Sequence, residues 1–305
     1  MSSRGHCKRF TLRSLSIATL GALALIALTS ARAAADSPIV SPPPIGPDLL
    51  EFTFRPGLWL PRLGGDVLLG PSPAAGRLDI DTDLNLRDNE ATFLGEFLIR
   101  KADYWELQFS GFSFSTSSST TAPRPMQFGG TALTTGQMFQ NTFDMTSFAG
   151  EFRFGMFQPL PGLSELSDTN RTSDGRRRVD LRFSPLAGAR YVNVKQRLTT
   201  GATTEEARGE WLAPYIGLNF ELTYRPDGRW PLTDALVIEV AGAAGPALGG
   251  DGGFVWQIQA GLTWHATRHF GVTFGYRLVE LDVEKGDYQM KAGLQGLLIA
   301  GSVRF

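Results

Sequence analysis

Apolar and polar residues alternate along most of the chain beyond residue 50, and this alternation predicts β-strands. Between residues 254 and 265 every second position, from Phe254 to Trp264, is apolar, and most positions between them are polar or small. A strand turns successive side chains to opposite faces, so the pattern gives one apolar and one polar face. A helix would scatter the same residues around its surface.

Ten such tracts follow one another, and together they predict a membrane barrel. They cover residues 50–60, 91–101, 103–115, 139–157, 178–198, 209–225, 234–247, 253–266, 270–284 and 287–305. Several are longer than the ~5–6 residues of an ordinary strand and reach the ~9–11 that a tilted strand needs to cross a bilayer. Aromatic residues gather near the tract ends, as in the interfacial girdles of membrane barrels. We therefore predict an all-β fold, a transmembrane antiparallel up-and-down β-barrel of about ten strands.

The strand number has two alternatives. Residues 77–86 and 126–133 could form a further strand pair, which would give twelve strands, and eight would result if two tracts are miscounted. An even number is required if both chain ends lie on the same side of the membrane. Connections on the periplasmic side are expected to be short and those on the outer side longer.

The first 49 residues predict export rather than a folded domain. Arg4, Lys8, Arg9 and Arg13 precede an apolar stretch at residues 16–28, and small residues with A-x-A spacing follow it. This order is typical of a secretory signal peptide, which we place at residues 1–35. Residues 36–49 are rich in proline and predict an extended periplasmic lead-in, so the barrel is assigned to residues 50–305.

Composition excludes several classes of protein. Lys+Arg is 29 and Asp+Glu is 30, so the net charge of −1 gives no general attraction to nucleic acid. With 42% apolar residues the chain is not intrinsically disordered. The single cysteine, Cys7, excludes a disulfide framework and a cysteine zinc site, and no cofactor is indicated.

The last residues carry a resemblance to a known class. Leu297, Ile299, Gly301 and Val303 lie in register with the C-terminal Phe305. This strand resembles the terminal strand of bacterial outer-membrane β-barrels, whose final aromatic residue belongs to the signal read by the barrel assembly machinery. Residues 57–61 (GLWLP), 188–191 (GARY) and 275–278 (GYRL) extend the resemblance to poorly characterised barrels of the small porin-like and OmpA-transmembrane-like kind. It implies outer-membrane location, Phe305 as assembly signal, and outer-membrane lipid and lipopolysaccharide as partners, with the oligomeric state left open.

The polar faces of the tracts predict the lining of the barrel. Its charges have mixed signs, so they either pair into a plug or segregate and leave a narrow polar path. The predicted lumen-lining residues are Arg55, Glu96, Glu106, Glu151, Arg153, Arg182, Arg190, Glu221, Glu239, Gln257, Gln259 and Arg277. We therefore expect a non-enzymatic outer-membrane barrel with a narrow charged lumen, in a structural or small-solute or ion channel role.

The alternative is an outer-membrane lipid hydrolase or protease. Such enzymes usually need a histidine base, and beyond the predicted signal peptide the chain has only His265 and His269. Lipid A deacylases need a His-x-Ser pair, but Thr267 stands two positions after His265, where the serine would be. No catalytic residue is assigned. Asp79, Asp81 and Asp83 have the spacing of calcium ligands, but Leu84 stands where the calcium loop needs glycine, and no metal site is predicted.

Overall fold

The computed structural model describes residues 50–70, 76–86, 90–101, 104–154, 172–173, 176, 178–201, 203–226, 230 and 232–305. The predicted signal peptide and proline-rich lead-in lie outside these residues. The strands are β1 (Leu50–Leu69), β2 (Leu78–Asp79), β3 (Thr92–Lys101), β4 (Trp105–Thr121), β5 (Met126–Phe128), β6 (Thr131–Leu133), β7 (Met138–Phe154), β8 (Val179–Thr200), β9 (Thr203–Tyr224), β10 (Ala235–Pro246), β11 (Gly252–His265), β12 (Phe270–Lys285) and β13 (Tyr288–Arg304). Within this part of the chain, no helix is long and apolar enough to cross a membrane.

Ten of the strands form one closed antiparallel barrel, which confirms the predicted fold. Each strand pairs with its neighbours in the order β13-β12-β11-β10-β9-β8-β7-β4-β3-β1, and β1 pairs again with β13 to close the ring. The register runs from Thr53 opposite Arg304 to Leu69 opposite Tyr288. The two segments that could have raised the number to twelve lie outside the ring, since β2 pairs only with β1 and β5 pairs only with β6.

The barrel has two distinct ends. The first residue of β1, Leu50, and the last residue of β13, Arg304, lie at the same end of the barrel, which we call the proximal end. The opposite end is called the distal end. The strands β8 and β9 have 22 residues each and run together to Thr200 opposite Thr203. Residues 199–200 and 203–208, which no predicted tract covers, therefore belong to these two strands. The connection between β12 and β13 is also short. At both distal turns a glycine, Gly201 or Gly286, has the positive φ that a tight hairpin needs.

An apolar belt surrounds the proximal half of the barrel. On β1 its outward positions run from Leu50 to Leu60 and give way to Arg62, a height that matches the ~9–11 residues of a membrane-spanning strand. Its exposed members include Phe52, Phe54, Leu60, Phe93, Phe97, Phe109, Phe148, Phe154, Ile216, Leu218, Ile238, Val240, Ile258, Leu262, Phe274, Leu297 and Ile299. A closed barrel with such a belt has the geometry of a membrane-spanning protein.

The distal half has the opposite arrangement, with apolar residues inside. On β12 the apolar residues face outward as far as Leu278; from Val279 onward they face inward, and Glu280 and Asp282 take the outward positions. The resulting core includes Leu63, Val67, Phe112, Phe114, Phe139, Phe143, Val192, Val194, Trp211, Val279, Leu281, Val283, Met290 and Leu294. The expectation that one apolar face points outward along a whole tract therefore fails for β12, whose outward positions beyond Leu278 are charged. It holds for β11, where the even positions from Phe254 to Trp264 face outward throughout.

Loops at the distal end add side chains to the same core. Residues 76–86 contribute Leu78, Ile80, Leu84 and Leu86, and the hairpin of β5 and β6 contributes Phe128 among others. The backbone of this hairpin is tied to the end of β1, because the amide of Gly129 donates to the carbonyl of Leu69 at 2.9 Å. The interior of the distal half is thus packed up to and including its loops.

Candidate functional site

The charged side chains inside the proximal half form the candidate site. Strand register brings many of them side by side, with Arg55 opposite Glu96, Arg182 opposite Glu221 and Gln259 opposite Arg277. The structure places all twelve predicted lumen-lining residues on the inner side of the wall, because each of them lies an even number of positions from a buried, inward-facing residue of its strand. Together they make a polar layer, which we call the ion-pair layer.

Glu106 lies at the centre of the ion-pair layer and is fully buried. Its carboxylate is 2.5 Å from the guanidinium of Arg100 and 2.9 Å from that of Arg153. Arg100 also pairs with Glu221 at 2.9 Å, and Arg153 pairs with Glu151 at 2.8 Å. Each buried charge in this group therefore has at least one opposite charge in direct contact.

A second group of ion pairs within the layer lies next to the distal core. Glu96 pairs with Arg277 at 3.4 Å and with Arg55 at 3.9 Å, and Arg55 also reaches Glu239 at 3.4 Å. The guanidinium of Arg277 lies 5.9 Å from the ring centre of Trp59, a cation–π arrangement at the boundary of the two halves. Glu239 also binds Arg153 at 2.6 Å, so the two groups are continuous.

Several members of the layer were not predicted. Arg100 shares the face of Glu96 on β3 but stands one residue from the strand end, where the sequence suggests a turn. Asp180, which pairs with Arg182 at 2.8 Å, and Gln108, which accepts from Arg153 at 2.7 Å, also have inward parity. The same alternation that identified the other residues could therefore have found all three.

Little free space is left inside the layer. A cavity of about 30 Å³ lies among Arg190, Tyr215, Gln257, Gln259 and Arg277, and another of about 10 Å³ lies beside Arg55 and Glu96. A single water needs about 10–15 Å³ by this measure, so the larger cavity has room for two or three water-sized particles.

The aspartates of the first distal loop are used as ion-pair partners. Asp81 pairs with Arg62 at 2.6 Å, and Asp83 pairs with Arg124 at 2.6 Å. The hydrogen bond and the charge of Asp83 raise the pKa of Arg124 above its ordinary value. In the described part of the chain no three His, Cys, Asp or Glu side chains come together as metal ligands.

The histidines and the terminal phenylalanine lie at the proximal end. His265 is buried against Gly271 of the next strand, and the Nδ1 atom of His269 is 3.0 Å from the carbonyl oxygen of Arg304. Among the described residues no carboxylate pairs with either imidazole. Phe305 is held by Phe52, to which its amide donates at 2.8 Å, and its side chain is 74% exposed on the outer wall.

Comparisons with known proteins return membrane barrels of bacteria. No family model matches the chain, and no curated protein is significantly similar to it. Similar solved structures include the outer membrane protease OmpT of Escherichia coli (9% identity, TM-score 0.44, 87% of this chain and 99% of that chain covered). They also include Ail, the attachment invasion locus protein of Yersinia pestis (10%, 0.34, 84% and 98%), and the translocator domain of the autotransporter NalP of Neisseria meningitidis (9%, 0.35, 94% and 98%). Likenesses at this level carry no information on the function of this chain.

Proposed function

We propose that the protein is a non-conducting, non-enzymatic barrel of the bacterial outer membrane that acts as a structural scaffold. The observation that carries this proposal is that the interior is filled at two levels. Ion pairs between Arg100, Glu106, Arg153 and their neighbours fill the membrane-spanning half, and apolar side chains fill the distal half. Ions would have to cross both layers, and a dry apolar core offers no group to replace their water.

Several features support the location and orientation. Closed barrels with an outward apolar belt are the β-structures that can exist in lipid, because every backbone group is paired. The chain carries a predicted export signal, and its terminal Phe305 resembles the assembly signal of outer-membrane barrels. With both barrel ends periplasmic, the distal half stands outside the cell, and the barrel assembly machinery is a partner during insertion.

The wall just above the belt is the surface proposed to meet lipopolysaccharide. The outward positions of β4, β7, β8 and β9 form polar rows there, such as Ser115, Asp144, Lys195 and Arg208 in cross-strand order. The hydroxyl of Ser115 and the basic groups of Lys195 and Arg208, at the level of lipid headgroups, suit sugars and phosphates. Arg197 belongs to the next row and pairs with Glu206 at 3.3 Å.

Planar-bilayer recording tests the non-conducting part of the proposal. Residues 36–305, refolded and inserted, should give no unitary current steps, with insertion verified by different gel mobility of unheated and boiled samples. A variant with Arg153→Ala and Glu239→Ala removes the centre of the ion-pair layer but leaves the distal core, so it should also be silent. Reproducible steps from the unmodified barrel would overturn the proposal.

The non-enzymatic part has its own test. Refolded barrel is incubated with labelled lipopolysaccharide and with a labelled peptide library, and neither should release product. The control is the double variant His265→Ala and His269→Ala, which removes both imidazoles beyond the predicted signal peptide. Product formed by the unmodified barrel and lost in this variant would support a lipid hydrolase or protease instead.

A further inference from the structure

Among the residues that the structure describes, Arg190 has no acidic side chain within ion-pair distance. Its side chain lies on β8 and is 1% exposed. One terminal nitrogen donates to the hydroxyl of Ser147 at 2.7 Å and the other donates to the amide oxygen of Gln257, while Nε has no hydrogen-bond partner among the described residues. Both partners are neutral, so the positive charge of this guanidinium is solvated but not balanced.

The surroundings of Arg190 do not supply the missing charge. The cavity beside it is lined by three arginines, Arg153, Arg190 and Arg277, but by only two glutamates, Glu151 and Glu239. Both glutamates pair with Arg153, at 2.8 and 2.6 Å. Arg277 pairs with Glu96 at 3.4 Å, so among the described residues Arg190 is the arginine of this lining without an ion-pair partner. A buried unpaired charge is strongly unfavourable.

The cavity has the size and the donors for a small anion. Its volume of about 30 Å³ suits one halide ion with a water molecule and is too small for a large organic anion such as gluconate. The Nε–H of Arg190 has no hydrogen-bond partner among the described residues. The side-chain amide of Gln257 accepts from Arg190 through its oxygen and is hydrogen-bonded to Tyr215, and its nitrogen carries two N–H donors, so one more can serve a ligand. We propose that this cavity is a binding site for a small monovalent anion of the halide class, chloride, which balances Arg190 and holds β8 against β11.

The first experiment compares salts at equal ionic strength. Unfolding of the refolded barrel by urea is followed in sodium chloride and in sodium gluconate, whose anion is too large for the cavity. We expect the midpoint to rise with chloride to a plateau and to stay lower in gluconate. Arg190→Gln should remove this difference, whereas Arg182→Gln, an interior arginine that does not line the cavity, should keep it. Equal midpoints of the unmodified barrel in both salts would overturn the proposal.

A second variant keeps the test decisive if Arg190→Gln does not fold. Gln257→Glu places a carboxylate against Arg190 and supplies the charge that chloride provides. It should unfold at a higher urea concentration than the unmodified barrel in gluconate and show no response to chloride. A lower midpoint in gluconate, or an unchanged chloride response, would contradict the site. Crystals grown with bromide should show an anomalous peak beside Arg190, and a cavity without one would count against the proposal.

Discussion

The substitution Glu106→Gln tests whether the ion-pair layer stabilises the barrel. Glu106 bridges Arg100 and Arg153 with a side chain that is 1% exposed. Glutamine keeps the shape but removes the charge, and its amide nitrogen cannot accept from a guanidinium. The distal hairpin of β8 and β9 offers a matched control, since Glu206 also bridges two cations, Lys195 at 2.9 Å and Arg197 at 3.3 Å, but its side chain is 40% exposed.

The two sites differ in the expected loss of unfolding free energy. Breaking a buried ion pair by removing one partner costs about 3–5 kcal/mol. We expect about 3 kcal/mol for Glu106→Gln, because Arg100 retains Glu221 and Arg153 retains Glu151 and Glu239. An exposed pair contributes about 0.2–1 kcal/mol, so Glu206→Gln should cost less than about 1 kcal/mol. The difference of about 2 kcal/mol corresponds to a factor of about 30 in the folding equilibrium.

Equilibrium urea titration of the barrel in lipid vesicles measures both losses. Tryptophan fluorescence and the fraction of heat-modifiable protein on unheated gels should report the same midpoint if unfolding is two-state. Added salt should reduce the small effect of Glu206→Gln further and leave that of Glu106→Gln largely unchanged, since screening acts on exposed charges. Equal losses for the two variants would refute the view that burial makes the inner pairs stabilising.

Three further predictions follow from the wall and the loops. Phe143→Ala in the distal core should lower the unfolding free energy by about 3–5 kcal/mol in the same titration. Substitutions at exposed distal positions should change it by no more than about 0.5 kcal/mol. Of two outward positions on β4, Ser117→Cys in vesicles should react with a charged maleimide and Phe109→Cys should not, and equal labelling would contradict the height of the belt. Burial alone would raise the pKa of Asp234, but Arg176, which binds it at 2.7 Å, holds it below its ordinary value of 3.8. Asp234→Asn should therefore cost about 1 kcal/mol at pH 7. The difference should begin to shrink near the ordinary pKa of 3.8 and disappear only below the lowered pKa of Asp234, where the unmodified barrel loses the same pair.

The fold could be predicted because alternation is a local property of the sequence. In the wall of a barrel, successive side chains point alternately inward and outward, and residues 254–265 follow this alternation without interruption. The polar face then identified the inward residues of the proximal half. Strand ends are harder to predict, because polar residues on both faces look like a loop. Residues 203–208 of β9 have polar residues on both faces, and no predicted tract covers them for that reason.

The change of environment along β12 and β13 is also readable, but only if each face is followed separately. On β12 the apolar set moves from even positions, which end at Leu278, to odd positions, which begin at Val279. On β13 it moves the other way, from Met290 and Leu294 to Leu297 and Ile299. A single apolar face was sought for each tract, so the distal core was missed.

The partners inside the layer could not be predicted from spacing. Arg55 and Glu239 are 184 residues apart and meet across the interior, and Arg100 meets Glu221 in the same way. Such contacts depend on strand number, stagger and tilt, which together set the width of the barrel. The alternation in the sequence identifies which residues face inward, but the geometry of the closed barrel determines which of those residues are in contact.

The inversion between the two halves follows from the solvents that surround them. In the lipid layer an apolar interior would gain little, because lipid is as apolar as the side chains, and polar contacts inside are what can hold the strands together. In the proposed placement, water surrounds the wall of the distal half, and burying Phe143, Trp211 or Leu281 gains hydrophobic free energy. A barrel that extends this far beyond the membrane therefore favours a filled distal interior, and filling it closes the route that a channel would need. Because the interior is filled, partners of this barrel are expected to bind at its outer wall and its distal loops.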